Sequence, residues 1–181
     1  HQRDDGGRRE QQLRDEELGL VVRGAPIVAR DAGLDAGGNH RVAELVQALL
    51  DAQYDLKQNG RFPVLILVAG VEGAGKSETV NLLNEWMDPR HILTSAFFAP
   101  SDEERERPAL WRFWRALPPK GRIGIFFGAW HTMPIIHRVF GEISEGEFAR
   151  EISEIQRFEK MLCDEGVLLL KYWFHLSKSQ Q

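Results

Sequence analysis

The eight residues Gly70-Val71-Glu72-Gly73-Ala74-Gly75-Lys76-Ser77 match the spacing G-x-x-x-x-G-K-[ST], and their flanks restrict the fold more than any other feature of the chain. Before them, Val64-Leu65-Ile66-Leu67-Val68-Ala69 is apolar without alternation, the pattern of a strand buried on both faces of a parallel sheet. After them, Glu78 to Met87 carries Val80, Leu82, Leu83 and Trp86 at helical spacing until Asp88-Pro89 ends the run. A strand, a glycine-rich turn and a helix in this order let successive backbone N–H groups converge on phosphate oxygens at the positive end of the helix. Gly70, Gly73, Ala74, Gly75, Lys76 and Ser77 are therefore the candidate phosphate-binding residues. Lys76 would reach the outer phosphates, and the Ser77 hydroxyl would help hold magnesium. Motif and context agree, which favours a binding loop over a bare strand-to-helix turn.

The rest of the chain supplies a layered α/β pattern. Arg41 to Gln58 is an amphipathic helix through Val42, Leu45, Val46, Leu49, Tyr54 and Leu56, stopped by Asn59-Gly60. Ile92 to Ala99 is a weaker strand, Leu110 to Ala116 a helix, and Ile123 to Phe127 a second buried strand. Glu147 to Glu165 is a helix with Gly166 as its cap, and Val167 to Phe174 a last strand. Strands alternating with helices predict a parallel sheet between helical layers. Residues 1–39 mix charges with glycine and alanine and read as a disordered or irregular segment, which leaves one domain over 40–181.

Composition removes several function classes. A net charge of −4 over 181 residues gives no basic surface for nucleic acid. No apolar run reaches the roughly 18 to 20 residues that span a bilayer. The lone Cys163 excludes a disulfide framework and fits a reducing, cytoplasmic setting. His131 and His137 lack metal-ligand spacing, and Trp111, Trp114 and Trp130 read as core residues.

Phosphoryl transfer needs more than a cradle. Magnesium usually depends on an acid at the end of a neighbouring strand. Ile123–Phe127 runs instead into Gly128-Ala129-Trp130-His131, with no carboxylate, so Glu72 inside the loop is the nearest substitute and the second candidate metal ligand. Arg90, Arg112, Arg122 and Arg138 are candidates to line an anion channel, because guanidinium groups pair bidentately with phosphate. Lys171 and His175 sit on or after the last strand, where α/β ligands bind.

From Val64 onward the chain resembles the polyphosphate kinase 2 family. The likeness rests on the loop with its internal acid Glu72, then Asp88-Pro89-Arg90, Glu104, Trp111-Arg112, Leu117-Pro118, Gly121, Trp130, Arg138-Val139, Phe158-Glu159, Gly166, Lys171, His175, Ser177-Lys178 and Gln181. The resemblance implies a P-loop kinase-like three-layer fold, truncated here before a helical lid and the last strands. It also implies transfer between inorganic polyphosphate and AMP or ADP, with Mg2+ as cofactor, in a homo-oligomer or in tandem with a second related domain. Lys76, Glu72, Arg90 and Arg112 would be the catalytic set, with Arg138 and Lys171 as further phosphate contacts. Active members of that family carry an Asp where this chain has Glu72, and an Asp-Arg-Ser run where it has Phe127-Gly128-Ala129. The loop together with Phe126-Phe127-Gly128-Ala129-Trp130 looks like the amino-terminal half of double-domain polyphosphate:AMP phosphotransferases. The alternative expectation is therefore a catalytically silent half that binds phosphate ligands and supports assembly with an active domain.

Overall fold

The computed structural model describes the backbone of residues 36–176 and the side chains of 40–176. The expectations for residues 1–35, and for Ser177, Lys178 and Gln181, lie outside the described residues. Helix α1 (Ala36–Asn59) begins within the segment read as irregular, four residues ahead of the boundary drawn at His40. Strand β1 (Val64–Gly70) leads through the glycine-rich loop to α2 (Lys76–Trp86). A 3-10 turn (Pro89–His91) then enters β2 (Ile92–Ala96). Two short helices, α3 (Asp102–Arg105) and α4 (Trp111–Arg115), precede β3 (Ile123–Phe127). Helices α5 (Thr132–Val139) and α6 (Glu145–Asp164) lead to β4 (Leu168–Phe174).

The four strands form one parallel sheet in the order β2-β3-β1-β4. Val64 is in register with Ile123 and Leu168, and Val68 with Phe127 and Tyr172, so every strand points the same way and all carboxyl ends share one edge. The unbroken apolar run of β1 is explained by its position between β3 and β4. Leu65 and Leu67 face a core with Phe113, Phe126, Trp130, Ile155, Phe158 and Leu162. Ile66 and Val68 face a second core with Leu56, Val80, Met87, Ile92, Ile123 and Ile125. Helices α1 and α2 thus cover one face, α4 and α6 the other, which is the three-layer arrangement the sequence predicts.

Helix α5 was not expected. Pro134 reads as a breaker, yet it stands in the first turn, where its missing N–H had no intrahelical acceptor to lose. Two capping boxes mark starts that the apolar pattern placed late or left open. Ser144 accepts from the Glu147 N–H at 3.2 Å while the Glu147 carboxylate accepts from the Ser144 N–H at 2.9 Å, so α6 starts at Glu145. Ser101 and Glu104 do the same for α3, inside a stretch read only as polar. Trp114 is a correction: it is 53% exposed, because Phe113 and not Trp114 falls on the buried face of α4.

Candidate functional site

The phosphate loop begins where β1 ends and is shaped by a close backbone approach. Gly70 has φ 126°, and a Cβ there would lie 2.1 Å from the Phe174 carbonyl oxygen, so only glycine fits. The next residue is tied to the same oxygen, with the Val71 N–H donating to it at 3.0 Å. Gly75, at φ 85°, turns the chain into α2 as its N-cap, and no side chain occupies the free N–H groups of the first helical turn. Those donors and the helix dipole favour an anion at this point.

Lys76 folds back over the loop, donating from Nζ to the carbonyl oxygens of Gly70 at 3.0 Å and Val71 at 2.5 Å. Partial withdrawal from water holds its pKa below the usual lysine value, and the Glu72 charge pulls the other way. Glu72 and Ser77 are both exposed at the loop. The loop candidates Gly70, Glu72, Gly73, Ala74, Gly75, Lys76 and Ser77 are therefore brought together.

Arg90, Arg122 and Lys171 are not. Arg90 precedes the amino end of β2, at the sheet edge opposite the loop, roughly 20 Å of strand away. Its guanidinium forks onto Asp88 at 2.7 and 2.9 Å, and this pairing holds the Asp88 carboxyl well below the usual carboxylate range. Arg122 stands at the same edge, donating to the Arg90 carbonyl at 3.2 Å. The expectation that Arg90 shares the phosphate site is corrected on this ground: the turn it occupies leads into a strand, whereas the loop leaves one. Arg138 lies in the last turn of α5, about 9 Å along the helix from its first residue, Thr132. Lys171 sits in register with Leu67, below the loop, and its ammonium is held by the Glu159 carboxylate at 2.9 Å. His175 is exposed just past β4.

Glu159 is a functional neighbour that the sequence alone did not single out as a hub. Its buried carboxylate accepts from Trp130 Nε1 at 2.9 Å and from Lys171 Nζ, with His131 Nε2 3.3 Å away. One side chain of α6 thereby fastens the residues after β3 to β4. Burial pushes the His131 pKa down to about 4, Glu159 opposing the shift and Lys171 adding to it, so the imidazole is neutral near pH 7.

The carboxyl end of β3 differs from the loop in kind. Gly128 has φ 78°, and a Cβ there would lie 2.6 Å from the Phe97 carbonyl oxygen. Its N–H donates to Val68 at 3.1 Å, and Phe97 N–H donates to Phe127 at 2.8 Å, so this turn is stitched between β1 and the segment after β2. Arg112 is placed beyond it, on α4, stacked on Phe97 and Phe113.

A hard cation could be held here only with help from the ligand. Among the described residues no three His, Cys, Asp or Glu side chains are grouped to hold a metal ion. The Ser77 hydroxyl and Glu72 carboxylate suit an ion bound chiefly by phosphate oxygens and water. No helix among the described residues is long and apolar enough to cross a membrane.

Comparison with known proteins places this geometry in a family. Residues 34–181 match the family model for polyphosphate kinase 2. A polyphosphate:AMP phosphotransferase of Pseudomonas aeruginosa is 63% identical over 139 residues, covering 77% of this chain and 28% of that protein. An AMP/ADP-polyphosphate phosphotransferase of Meiothermus ruber is 29% identical over 142 residues, covering 78% of this chain and 51% of that one. A crystal structure of a polyphosphate kinase 2 from Pseudomonas aeruginosa PA01 superposes with a TM-score of 0.76 at 58% identity, over 83% of this chain and 32% of that one. The chain thus spans about half or less of the length of each of these relatives.

Proposed function

The chain belongs to the polyphosphate kinase 2 family, and on that premise we propose that it serves phosphoryl transfer between inorganic polyphosphate and AMP or ADP. The observation that carries this reading is the Gly70–Ser77 loop, set between a central buried strand and a helix start whose N–H groups are free. In this reading the loop amides hold the terminal phosphates of the polyphosphate chain. Lys76 releases its own loop carbonyls to neutralise phosphate charge, an exchange favoured because a phosphate is a stronger partner than a neutral carbonyl. Ser77 and Glu72 would hold magnesium, which when bound would supply positive charge to offset that of the phosphates. Transfer is direct and in line, with positioning and charge neutralisation as the protein's contribution. The setting proposed is cytoplasmic, in a homo-oligomer or beside a second related domain.

A second reading is favoured by one observation at the β3 end. Phe127-Gly128-Ala129 offers neither acid nor arginine, and the Gly128 backbone admits no arginine without rebuilding the turn. On that reading the chain binds phosphate and supports an active partner domain. The deciding experiment is nucleotide phosphorylation by the purified chain with polyphosphate and magnesium, using AMP and ADP, for wild type and Lys76→Ala. Activity lost in the variant supports the transferase; a folded, phosphate-binding but inactive wild type supports the silent half.

A further inference from the structure

We propose that the amino edge of the sheet, opposite the phosphate loop, is a second anion-binding surface, which holds a distant stretch of a long polyphosphate chain while the loop holds its end. The inference rests on the polyphosphate reading above and extends it to substrate length.

The net charge of −4 conceals a local concentration of cations. Two turns meet at this edge, one before β1 and one before β3, and backbone contacts press them together. The Gly121 N–H donates to the Phe62 carbonyl at 3.0 Å, and the Val64 N–H to that of Arg122 at 3.0 Å. Gly121, at φ 78°, passes so close that a Cβ there would lie 3.3 Å from the Gly60 Cα. Arg61 and Lys120 are thereby fixed on adjoining turns, both exposed. Arg122 extends from the same turn to the Arg90 carbonyl at 3.2 Å. Lys57 adds a further charge from the last turn of α1, one helical turn after Gln53, whose side-chain amide grips the backbone of Asp88 at 2.8 and 2.9 Å.

Few carboxylates answer these charges. Among the described residues, none of Lys57, Arg61, Lys120 and Arg122 is in an ion pair. Asp88 is taken by Arg90 at 2.7 Å, and Asp164 by Lys160 at 2.7 Å. Glu165 stands before β4, on the far side of β1, and Asp55 leaves α1 roughly 200° around the helix from Lys57. That leaves Glu85, in the last turn of α2, as the acid nearby.

Like charges held together by backbone hydrogen bonds repel, and a polyanion that displaces their counterions turns that repulsion into affinity. Polyphosphate suits this surface better than nucleic acid. It carries charge on every phosphate unit with no sugar or base between, whereas single-stranded nucleic acid is held on successive aromatic platforms, and Phe62 is the one aromatic of these two turns. The loop lies roughly 20 Å of strand away, so tripolyphosphate cannot touch both sites and a long chain can. Occupying one site then raises the effective concentration of the chain at the other.

The test is titration of the full chain with long-chain polyphosphate, tripolyphosphate and single-stranded oligothymidine. Arg61→Glu with Lys120→Glu should weaken long-chain polyphosphate by roughly tenfold or more and flatten its salt dependence, leaving tripolyphosphate unchanged. Arg61→Gln with Lys120→Gln should act in the same direction by less, and it decides the matter if the reversed pair fails to fold. Long-chain affinity unmoved in the folded variants overturns the proposal; so does tripolyphosphate affinity that falls in step with it. Oligothymidine bound as tightly as polyphosphate, and weakened by the same variants, overturns it in favour of a nucleic-acid surface. Tripolyphosphate affinity indifferent to Lys76→Ala would instead sink the phosphate-loop reading, leaving the amino edge to be judged on the turn variants.

Discussion

The carboxyl ends of β1 and β3 are neighbours in the sheet, and both turns rest on a glycine that a carbonyl oxygen crowds. At β1 the crowding opens the chain into a loop that ends at an uncapped helix start, with Lys76 folded back onto the loop's own carbonyls. At β3 the N–H of Gly128 is spent on Val68, and the next side chains, Ala129 and Trp130, turn into the core. The same device therefore builds the proposed binding loop in one place and a structural joint in the other. Binding needs donors left unused; stability needs them used.

The largest effect should come from breaking the joint. Glu159→Ala leaves Lys171 and the Trp130 N–H without their acceptor, and a loss of about 3–5 kcal/mol is expected for one partner of a buried charged pair. Denaturant titration measures it, and Glu159→Gln, which keeps an acceptor for Trp130, should lose less. Lys76→Ala should have the opposite profile. Its contacts are to its own loop, so the unfolding midpoint should hardly move, while phosphoryl transfer or phosphate binding falls by about a hundredfold.

Gly128→Arg tests whether the joint can be turned back into a site. A non-glycine residue at φ 78° facing the Phe97 carbonyl should cost about 1–3 kcal/mol, with a fall in Tm of about 2–4 °C per kcal/mol. The double substitution Phe127→Asp with Gly128→Arg should accordingly fail to raise transfer unless the turn rebuilds. Recovered transfer with an unchanged Tm would contradict this account of the β3 end.

A pH dependence belongs to the joint as well. His131 is neutral in the folded protein with its pKa near 4, below the ordinary 6.5, so the unfolded chain binds the extra proton between those values. Stability from this group is present above about pH 6.5 and is lost as pH falls toward 4. His131→Gln should flatten that part of the Tm profile, while the slope should persist in Lys76→Ala.

The sequence exposes these two regions unequally. The strands are legible because β1 and β3, covered on both faces, are written as unbroken apolar runs; Ile123–Phe127 is recovered to the residue. The loop is legible because its chemistry is local. Arg90 is misplaced by sequence because adjacency to a strand does not say which end of the sheet a residue occupies. The Glu159 joint is hidden for a related reason: its partners come from the turn after β3 and from β4, and only the packing of α6 unites them. Helix α5 escapes notice because Pro134 is a breaker in mid-helix and harmless at a start.

The contact between Gly70 and the carbonyl of Phe174 carries a consequence for how the protein is made. The first residue of the phosphate loop is braced by the last residue of β4, separated from it by more than half the chain. Closing so distant a pair is slow and costly in chain entropy. During synthesis the loop leaves the ribosome long before its brace exists, so the loop takes its braced shape late. On the proposed function, phosphate binding would report that β4 has docked.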